Sequence, residues 1–445
     1  MTIDRPYSAD RKILRIAIPS IISNITVPLL GLIDVAIVGH LGSPAYIGAI
    51  AIGGMLFNII YWIFGFLRMG TSGMTSQAYG RHDLNEITRL LLRSLGVAAI
   101  VGLCLLIMQY PIRVIAFELI HTSPEVERMA ALYFHICIWG APAMLGLYAF
   151  SGWFIGMQNS RFPMYIAIAQ NIINIFASLS FVYIFNLQVA GVALGTLIAQ
   201  YAGLLMALML WFRYYGNLKQ YLSFHRLFRK REMSRFFKVN RDIFLRTLCL
   251  VMVTMYFTSA GASQGEIVLA VNTLLMQLFT LFSYIMDGFA YAGEALSGKY
   301  YGARNHTSLK HIIRRLFIWG TALAIVFTLL YLLGGNGLLH LLTSEKTVIH
   351  EANTYFYWVL AIPLAGFSAF LWDGIFIGIT ATRQMLYSML AASLSFFVIY
   401  FIFHNAIGNH ALWLAFIIYL SLRGITQGLL SRKILQKSNR RIVES

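Results

Sequence analysis

Twelve long apolar runs divide this chain, and they leave few folds open to it. The chain is 59% hydrophobic and only 11% charged. A transmembrane helix needs roughly 20 mostly apolar residues, whereas the strands of a membrane β-barrel are alternating segments of about 10 residues. Because these runs are continuous, the sequence predicts an all-α polytopic membrane protein with twelve transmembrane helices. They cover about residues 13–41, 47–79, 92–117, 128–156, 161–185, 189–213, 240–261, 266–299, 313–338, 352–379, 383–404 and 409–431.

The net charge of +17 is distributed by loop. Basic residues concentrate before the first run, after the second, sixth and eighth runs, and in the tail, whereas the intervening loops have almost none. This is the positive-inside pattern of a membrane protein, so it does not indicate a nucleic-acid partner. The sequence predicts a multi-pass protein of the bacterial inner (plasma) membrane, with the lipid bilayer as its surroundings and both termini in the cytoplasm.

The chain repeats itself at a shift of about 222 residues. Tyr79–Gly80 falls on Tyr301–Gly302, and Arg93 falls on Arg315. Each half holds six runs that start on the same side, which predicts two parallel, pseudo-symmetric six-helix bundles. The predicted parts are an N-lobe at 1–215, a basic cytoplasmic linker at 216–238, a C-lobe at 239–431 and a basic cytoplasmic tail at 432–445.

Two six-helix bundles in one chain are the plan of a secondary transporter. In such proteins the binding site lies between the repeats near the membrane midplane, and alternating access moves one repeat against the other. The sequence has no P-loop and no H-E-x-x-H motif. We therefore expect no catalytic residues, no cofactor and no metal site, an ion gradient as the energy source, and a monomer.

Four stretches resemble one known family. They are VPLLGLIDVAIVGHLG, FLRMGTSGMTSQAYG, MDGFAYAGEALSGKYYGAR and GNHALWLAFIIYLSLRG. Together with the twelve-span plan, they are similar to the multidrug and toxic compound extrusion (MATE) transporters, most of all to the DNA-damage-inducible F (DinF) branch. The resemblance implies a V-shaped pair of lobes and export of amphipathic, often cationic compounds in exchange for H⁺ or Na⁺.

Asp34 is the only charged residue between Ile16 and Leu41 in the first apolar run. A carboxylate at a helix centre costs roughly 2.5–3.5 kcal/mol on insertion scales, so it marks a functional site by default. Pro19 and Pro28 in the same run favour a helix that can kink. The resemblance assigns a matching aspartate to cation coupling. The alternative is a structural hydrogen bond to Asn171 or Asn174 on the fifth run.

Ser178 departs from the family's pattern on the fifth run, where the resemblance implies an Asn followed four residues later by an Asp. Here Ser178 follows Asn174, so the N-lobe lacks a second carboxylate. A sodium ion favours several hard oxygen ligands. The sequence therefore favours proton coupling, at Asp34 with Asn171 and Asn174 nearby, over sodium coupling.

Three acidic residues of the C-lobe lie well inside its runs, away from their ends. Asp287, Tyr291 and Glu294 lie on one face of a predicted helix, and Asp373 lies in the stretch LWDGIFIG. These residues predict an anionic cavity for a cationic amphiphile, with cation–π contacts from aromatic side chains. Arg68, in LRMGT, is the further cavity residue.

Two alternatives stay open for these charges. The C-lobe acids could instead be neutralised by arginines within the spans, namely Arg68, Arg246 or Arg423. A lipid-linked oligosaccharide flippase is the other function that this architecture serves. It would favour a strongly basic cavity for pyrophosphate, whereas the in-span charges here are mixed.

Overall fold

The computed structural model describes residues 6–41, 43–120, 123–222 and 229–443, and within them the chain forms α-helices and no strand. The helices of the first half are α1 (Pro6–Gly39), α2 (Pro44–Phe64), α3 (Phe66–Gly80), α4 (Leu84–Ile107), α5 (Gln109–Leu119), α6 (Pro124–Cys137), α7 (Ala141–Gly156), α8 (Arg161–Leu179) and α9 (Gln188–Tyr215). Those of the second half are α10 (Lys230–Ala262), α11 (Glu266–Gly302), α12 (His306–Leu342), α13 (Lys346–Gly378), α14 (Thr382–Ile407) and α15 (Asn409–Val443).

Twelve helical segments among the described residues are long and apolar enough to cross a membrane, which confirms the predicted number. Two of these segments combine consecutive helices. Helices α2 and α3 meet at Gly65, and α6 and α7 are joined by the short 3₁₀ turn Ile138–Gly140. The all-α, twelve-span fold class is therefore confirmed.

The third span lies earlier than the predicted run 92–117. Helix α4 begins at Leu84, where the Asp83 side chain accepts a hydrogen bond from the Glu86 amide, and it ends at Ile107. Pro111 has no N–H to donate to the carbonyl of Ile107, so the helix cannot continue unchanged through this point. The remaining apolar residues form the separate helix α5.

The described residues divide into two compact units. The unit named here the N-unit spans Ile18–Asn240. In it α3 packs against α4 and α7, α8 against α9, and α2 against α6. Gly152 of α7 allows the close approach to α3, because a Cβ there would lie only 3.1 Å from the Cα of Arg68. Small residues at such crossings are typical of membrane helices.

The C-unit comprises the described residues up to Ala17 and those from Arg241 onwards. Here α11 packs against α12 and α13, and α15 packs against α13 and α14. A Cβ at Gly374 of α13 would lie 2.9 Å from the Cα of Ala290 in α11. Gly374 and Ala290 follow Gly152 and Arg68 by 222 residues, so one crossing recurs at equivalent positions in both units.

The predicted lobe and linker boundaries stay predictions. Within the predicted linker 216–238, Gly216–Tyr221 forms a 3₁₀ turn and α10 has begun by Lys230, while residues 223–228 lie outside the described residues. The predicted tail from 432 continues α15 as far as Val443.

Candidate functional site

Asp34 is buried in the N-unit, six residues after Pro28 on α1, with only 5% of its surface exposed. Its Oδ1 atom accepts no hydrogen bond from any residue that the structure describes. Burial removes water from a carboxyl group, and an ionised carboxylate without compensating donors is costly in such a place. The side chain thus lies in a position where gaining or losing a proton changes the energy of the surrounding structure strongly.

Two hydrogen bonds fix the backbone of α1 on either side of Asp34. The Asn171 side chain on α8 donates to the carbonyl oxygen of Thr26 at 2.8 Å. The Tyr183 hydroxyl, in the π-helical turn Ser180–Ile184 after α8, donates to the carbonyl oxygen of Ile37 at 3.1 Å. The fifth span therefore holds α1 through main-chain oxygens before and after the carboxyl group. Turns of this π type are frequent at functional sites.

Asn174 belongs to a separate chain of polar contacts. Its side-chain amide donates to the Thr196 hydroxyl on α9 at 2.9 Å, and its Oδ1 accepts from the Ser178 hydroxyl at 3.3 Å. The Asn171 and Asn174 amide nitrogens thus bond to Thr26 and Thr196, so neither of these bonds is the predicted structural alternative for Asp34. Ser178, at the position where the family pattern implies an acid, is fully buried in this chain of contacts.

Tyr133 and Cys137 on α6 lie close enough to Asp34 to interact with it electrostatically. Sequence reasoning did not single out Tyr133, Cys137 or Thr196. A neutral polar residue is common within an apolar span, and no spacing in the sequence shows that α6 approaches Asp34 or that α9 bonds to the fifth span. The N-unit site therefore consists of one carboxyl group with the Tyr133 hydroxyl and the Cys137 thiol near it.

Asp373 in the C-unit has quite different surroundings. Its Oδ2 accepts hydrogen bonds from Arg246 of α10 and, at 2.6 Å, from Arg423 of α15. Its Oδ1 accepts from the Gln427 side chain at 2.6 Å. Arg423 is 2% exposed and also lies over the rings of Phe370 and Tyr419.

These contacts match the alternative left open by the sequence, in which arginines within the spans neutralise the C-lobe acids. Both oxygens of Asp373 have donors, and two guanidinium groups balance its charge. Such buried pairs are costly to break, because removing one partner leaves an uncompensated charge. The geometry therefore favours a structural role for Asp373. The sequence predicts Arg246 and Arg423 as possible partners of Asp373, but it does not predict Gln427.

The other predicted cavity residues lie apart from this cluster along the chain. Asp287, Tyr291 and Glu294 follow one another on α11, where Glu294 is buried and the other two are partly exposed. Arg68 is buried near the start of α3, which is the second helix of the N-unit's second span. Their role in substrate binding stays a prediction.

Comparisons with known proteins cover most of the chain. The MatE family model matches residues 19–179 and 243–402. DNA damage-inducible protein F of Escherichia coli is 36% identical over 441 residues, which are 96% of this chain and 93% of that protein. A probable multidrug resistance protein NorM of Thermotoga maritima is 21% identical over 76% of this chain and 73% of its own length.

The fold is similar to that of solved transporters as well. A crystal structure described as MATE in the bent conformation matches with a TM-score of 0.87 at 19% identity, over 97% of each chain. The family model matches both halves and a relative is more than a third identical over nearly the full length. The chain therefore belongs to the MatE family, the multidrug and toxic compound extrusion transporters.

Proposed function

We propose that this protein is a secondary active antiporter that exports amphipathic, cationic compounds in exchange for protons by alternating access. Asp34 is the group that binds and releases the proton. The exporter lies in the bacterial inner membrane, with its basic loops and both termini in the cytoplasm, as the distribution of Lys and Arg favours.

The observation that supports this proposal most is the contrast between the two buried aspartates. Asp373 accepts hydrogen bonds from Arg246, Arg423 and Gln427, so neither of its oxygens is available to an exchangeable ion. Asp34 has an oxygen without a donor and lies on a helix that contains two prolines. A proton on Asp34 removes a buried charge, and the conformation of α1 can respond to that change.

Proton coupling is favoured over sodium coupling by the same geometry. Sodium requires several oxygen ligands around the ion. The polar side chains of Asn174, Ser178 and Thr196 on the fifth and sixth spans bond to one another. A single carboxyl group without such a ligand set suits a proton, which needs one oxygen.

The family and the names of the relatives support the proposed substrate class. Proteins with names such as multidrug resistance protein NorM are among them. An amphipathic cation matches the predicted acidic face at Asp287 and Glu294 on α11, where Tyr291 adds an aromatic surface for a cation–π contact.

Transport by the purified protein in proteoliposomes tests this function. Vesicles loaded with a fluorescent lipophilic cation are given an inward-directed gradient of either H⁺ or Na⁺, never both. Efflux of the cation is then followed. We expect efflux to follow the pH gradient. Efflux that follows the Na⁺ gradient and ignores pH would instead assign sodium coupling, and transport of a lipid-linked sugar without cation efflux would assign the flippase alternative.

A further inference from the structure

Two helices begin in one unit and continue in the other. The boundary between the units falls after Ala17 within α1 and after Asn240 within α10. A shift of 222 residues places Ala17 on Val239, so the two boundaries are equivalent to within one residue. The first segment of α1, residues 6–17, is thus part of the C-unit, and the first segment of α10, residues 230–240, is part of the N-unit.

The α1 segment is held in the C-unit by Asp10. The Arg315 side chain of α12 donates two hydrogen bonds to this carboxylate, one of them from Nε at 2.8 Å, and Trp319 Nε1 donates a third at 3.0 Å. On the same segment Ala9, Ile13 and Ala17 are fully buried. The segment therefore belongs to the packed interior of the C-unit.

The α10 segment is held in the N-unit by Glu232. Its carboxylate bonds to Arg93 of α4, and that arginine also donates to Glu86 at 2.8 Å. Arg235 on the same segment donates to Gln77 of α3 at 3.0 Å. Glu232 and Arg93 are the equivalents of Asp10 and Arg315 at the 222-residue shift, so the repeat places an acid–arginine pair at both junctions.

The surroundings of the two pairs differ in a way that affects how easily each opens. Position 308, the equivalent of Glu86, is Ser308, and position 97, the equivalent of Trp319, is Val97. If Glu232 leaves, the Arg93 side chain, which is only 1% exposed, keeps its bond to Glu86. If Asp10 leaves, Arg315 and Trp319 both lose the carboxylate that they share.

The helices that carry the two carboxylates differ at the junction. Water can reach either carboxylate, since Glu232 is 29% exposed and Asp10 is 21% exposed. Pro19 lies two residues after the junction in α1, whereas its equivalent in α10 is Arg241. Proline removes one helical hydrogen bond and permits a bend. Helix α1 can therefore bend at its junction, while α10 has no such break and is expected to move as one rod.

We propose that the transport cycle opens the Glu232–Arg93 pair and leaves the Asp10–Arg315 pair closed. When the two units move relative to each other, α1 bends near Pro19 and its first segment stays in the C-unit. The first segment of α10 instead detaches from the N-unit, because α10 has no proline at its junction and Arg93 keeps Glu86 as a second acid. This inference rests on the proposed alternating-access transport.

Cross-linking of the two equivalent pairs provides a test with a matched control. Cysteines replace Arg93 and Glu232 in one protein, and Asp10 and Arg315 in another, after the native cysteines have been replaced by alanine; these are Cys104, Cys137 and Cys249. A short, reducible bis-methanethiosulfonate reagent then bridges each pair. Efflux of the lipophilic cation from proteoliposomes is measured before cross-linking, after it, and after reduction.

We expect the 93–232 cross-link to reduce efflux to the background rate and reduction to restore it. The 10–315 cross-link should leave the rate of its own protein unchanged. Full efflux by the 93–232 cross-linked protein would overturn the inference, and so would arrest by both cross-links. If the wild-type protein itself transports nothing, the proposed function fails instead.

Two single substitutions test the inference without cysteines. Asp10→Asn should lower the melting temperature of the purified protein more than Glu232→Gln does, because only Asp10→Asn leaves an arginine without its carboxylate. Glu232→Gln should alter the efflux rate while the melting temperature stays near that of the wild type. Equal losses of stability in both variants would contradict the proposed difference between the pairs.

Discussion

Two buried aspartates of this protein show how surroundings decide what an acidic residue does. Asp34 and Asp373 are equally buried, at 5% exposure each. Asp373 is surrounded by donors from two arginines and a glutamine, whereas Asp34 has an oxygen with no donor among the described residues. The same residue type therefore supports the packing of one unit and, as we propose, carries the exchanged proton in the other.

This contrast predicts opposite effects of the same substitution on stability. Asp373→Asn leaves two arginines buried without a counter-charge, and removing one partner of a buried ion pair costs about 3–5 kcal/mol. Asp34→Asn removes an acid that has no full set of partners, so stability should be unchanged or slightly greater. Thermal melting of the two variants in detergent measures this. A stable Asp373→Asn protein beside an unstable Asp34→Asn protein would contradict the assignment.

The candidate residues could be found from the sequence, but their partners only in part. An acid within an apolar run is visible in any sequence, so Asp34 and Asp373 were both found. Arg246 and Arg423 are visible for the same reason, but their pairing with Asp373 depends on the packing of α10, α13 and α15. Neutral partners such as Gln427 and Thr196 have no comparable signal.

At the scale of elements, α1 combines features that rarely occur together. It is a continuous helix of 34 residues with two prolines inside it, and the boundary between the units crosses it near the first proline. Hydrophobicity alone predicted the number of membrane-spanning segments among the described residues correctly. It placed the end of α4 wrongly, because an apolar run does not reveal the loss of the Pro111 hydrogen-bond donor.

Pro19→Ala should slow transport without harming the fold. Alanine restores an N–H that can donate to the carbonyl of Arg15, and it is favoured over proline inside a helix by about 3 kcal/mol. A stiffer α1 should resist bending, so efflux should fall while the melting temperature stays the same or rises. Pro44→Ala is the matched control, since Pro44 lies in the first turn of α2 and no helical bond is lost there. Equal efflux by both variants would argue against bending at Pro19.

At the scale of the whole molecule, the sequence repeat predicts which residues are equivalent. It does not predict where one compact unit ends and the other begins. The repeat assigns α1 to the first half and α10 to the second, and the positions 68, 152, 290 and 374 confirm that equivalent residues make equivalent crossings. The exchange of the first segments of α1 and α10 could not be read from it. Sequence similarity aligns residues but does not show which unit a helix end packs against.

The orientation of the protein is tested by labelling the two ends of α10. Ser234 lies near the start of this helix and Ser263 just beyond its end, and both are exposed. In a protein without its native cysteines, a membrane-impermeant thiol reagent added to intact cells should label Ser263→Cys and leave Ser234→Cys unlabelled. The reverse pattern would place the basic loops outside. The carboxyl-terminal Ser445, also expected in the cytoplasm, lies outside the described residues.

Proteoliposomes containing either the wild-type protein or Asp34→Asn test whether Asp34 carries the exchanged proton. Two rates are measured for each protein: net efflux of a lipophilic cation driven by a pH gradient, and one-for-one exchange of labelled for unlabelled cation without a gradient. Asparagine imitates the protonated carboxyl group but cannot release a proton. We predict that Asp34→Asn loses pH-driven efflux and keeps cation exchange. If Asp34→Asn shows pH-driven efflux at the wild-type rate, Asp34 does not carry the exchanged proton.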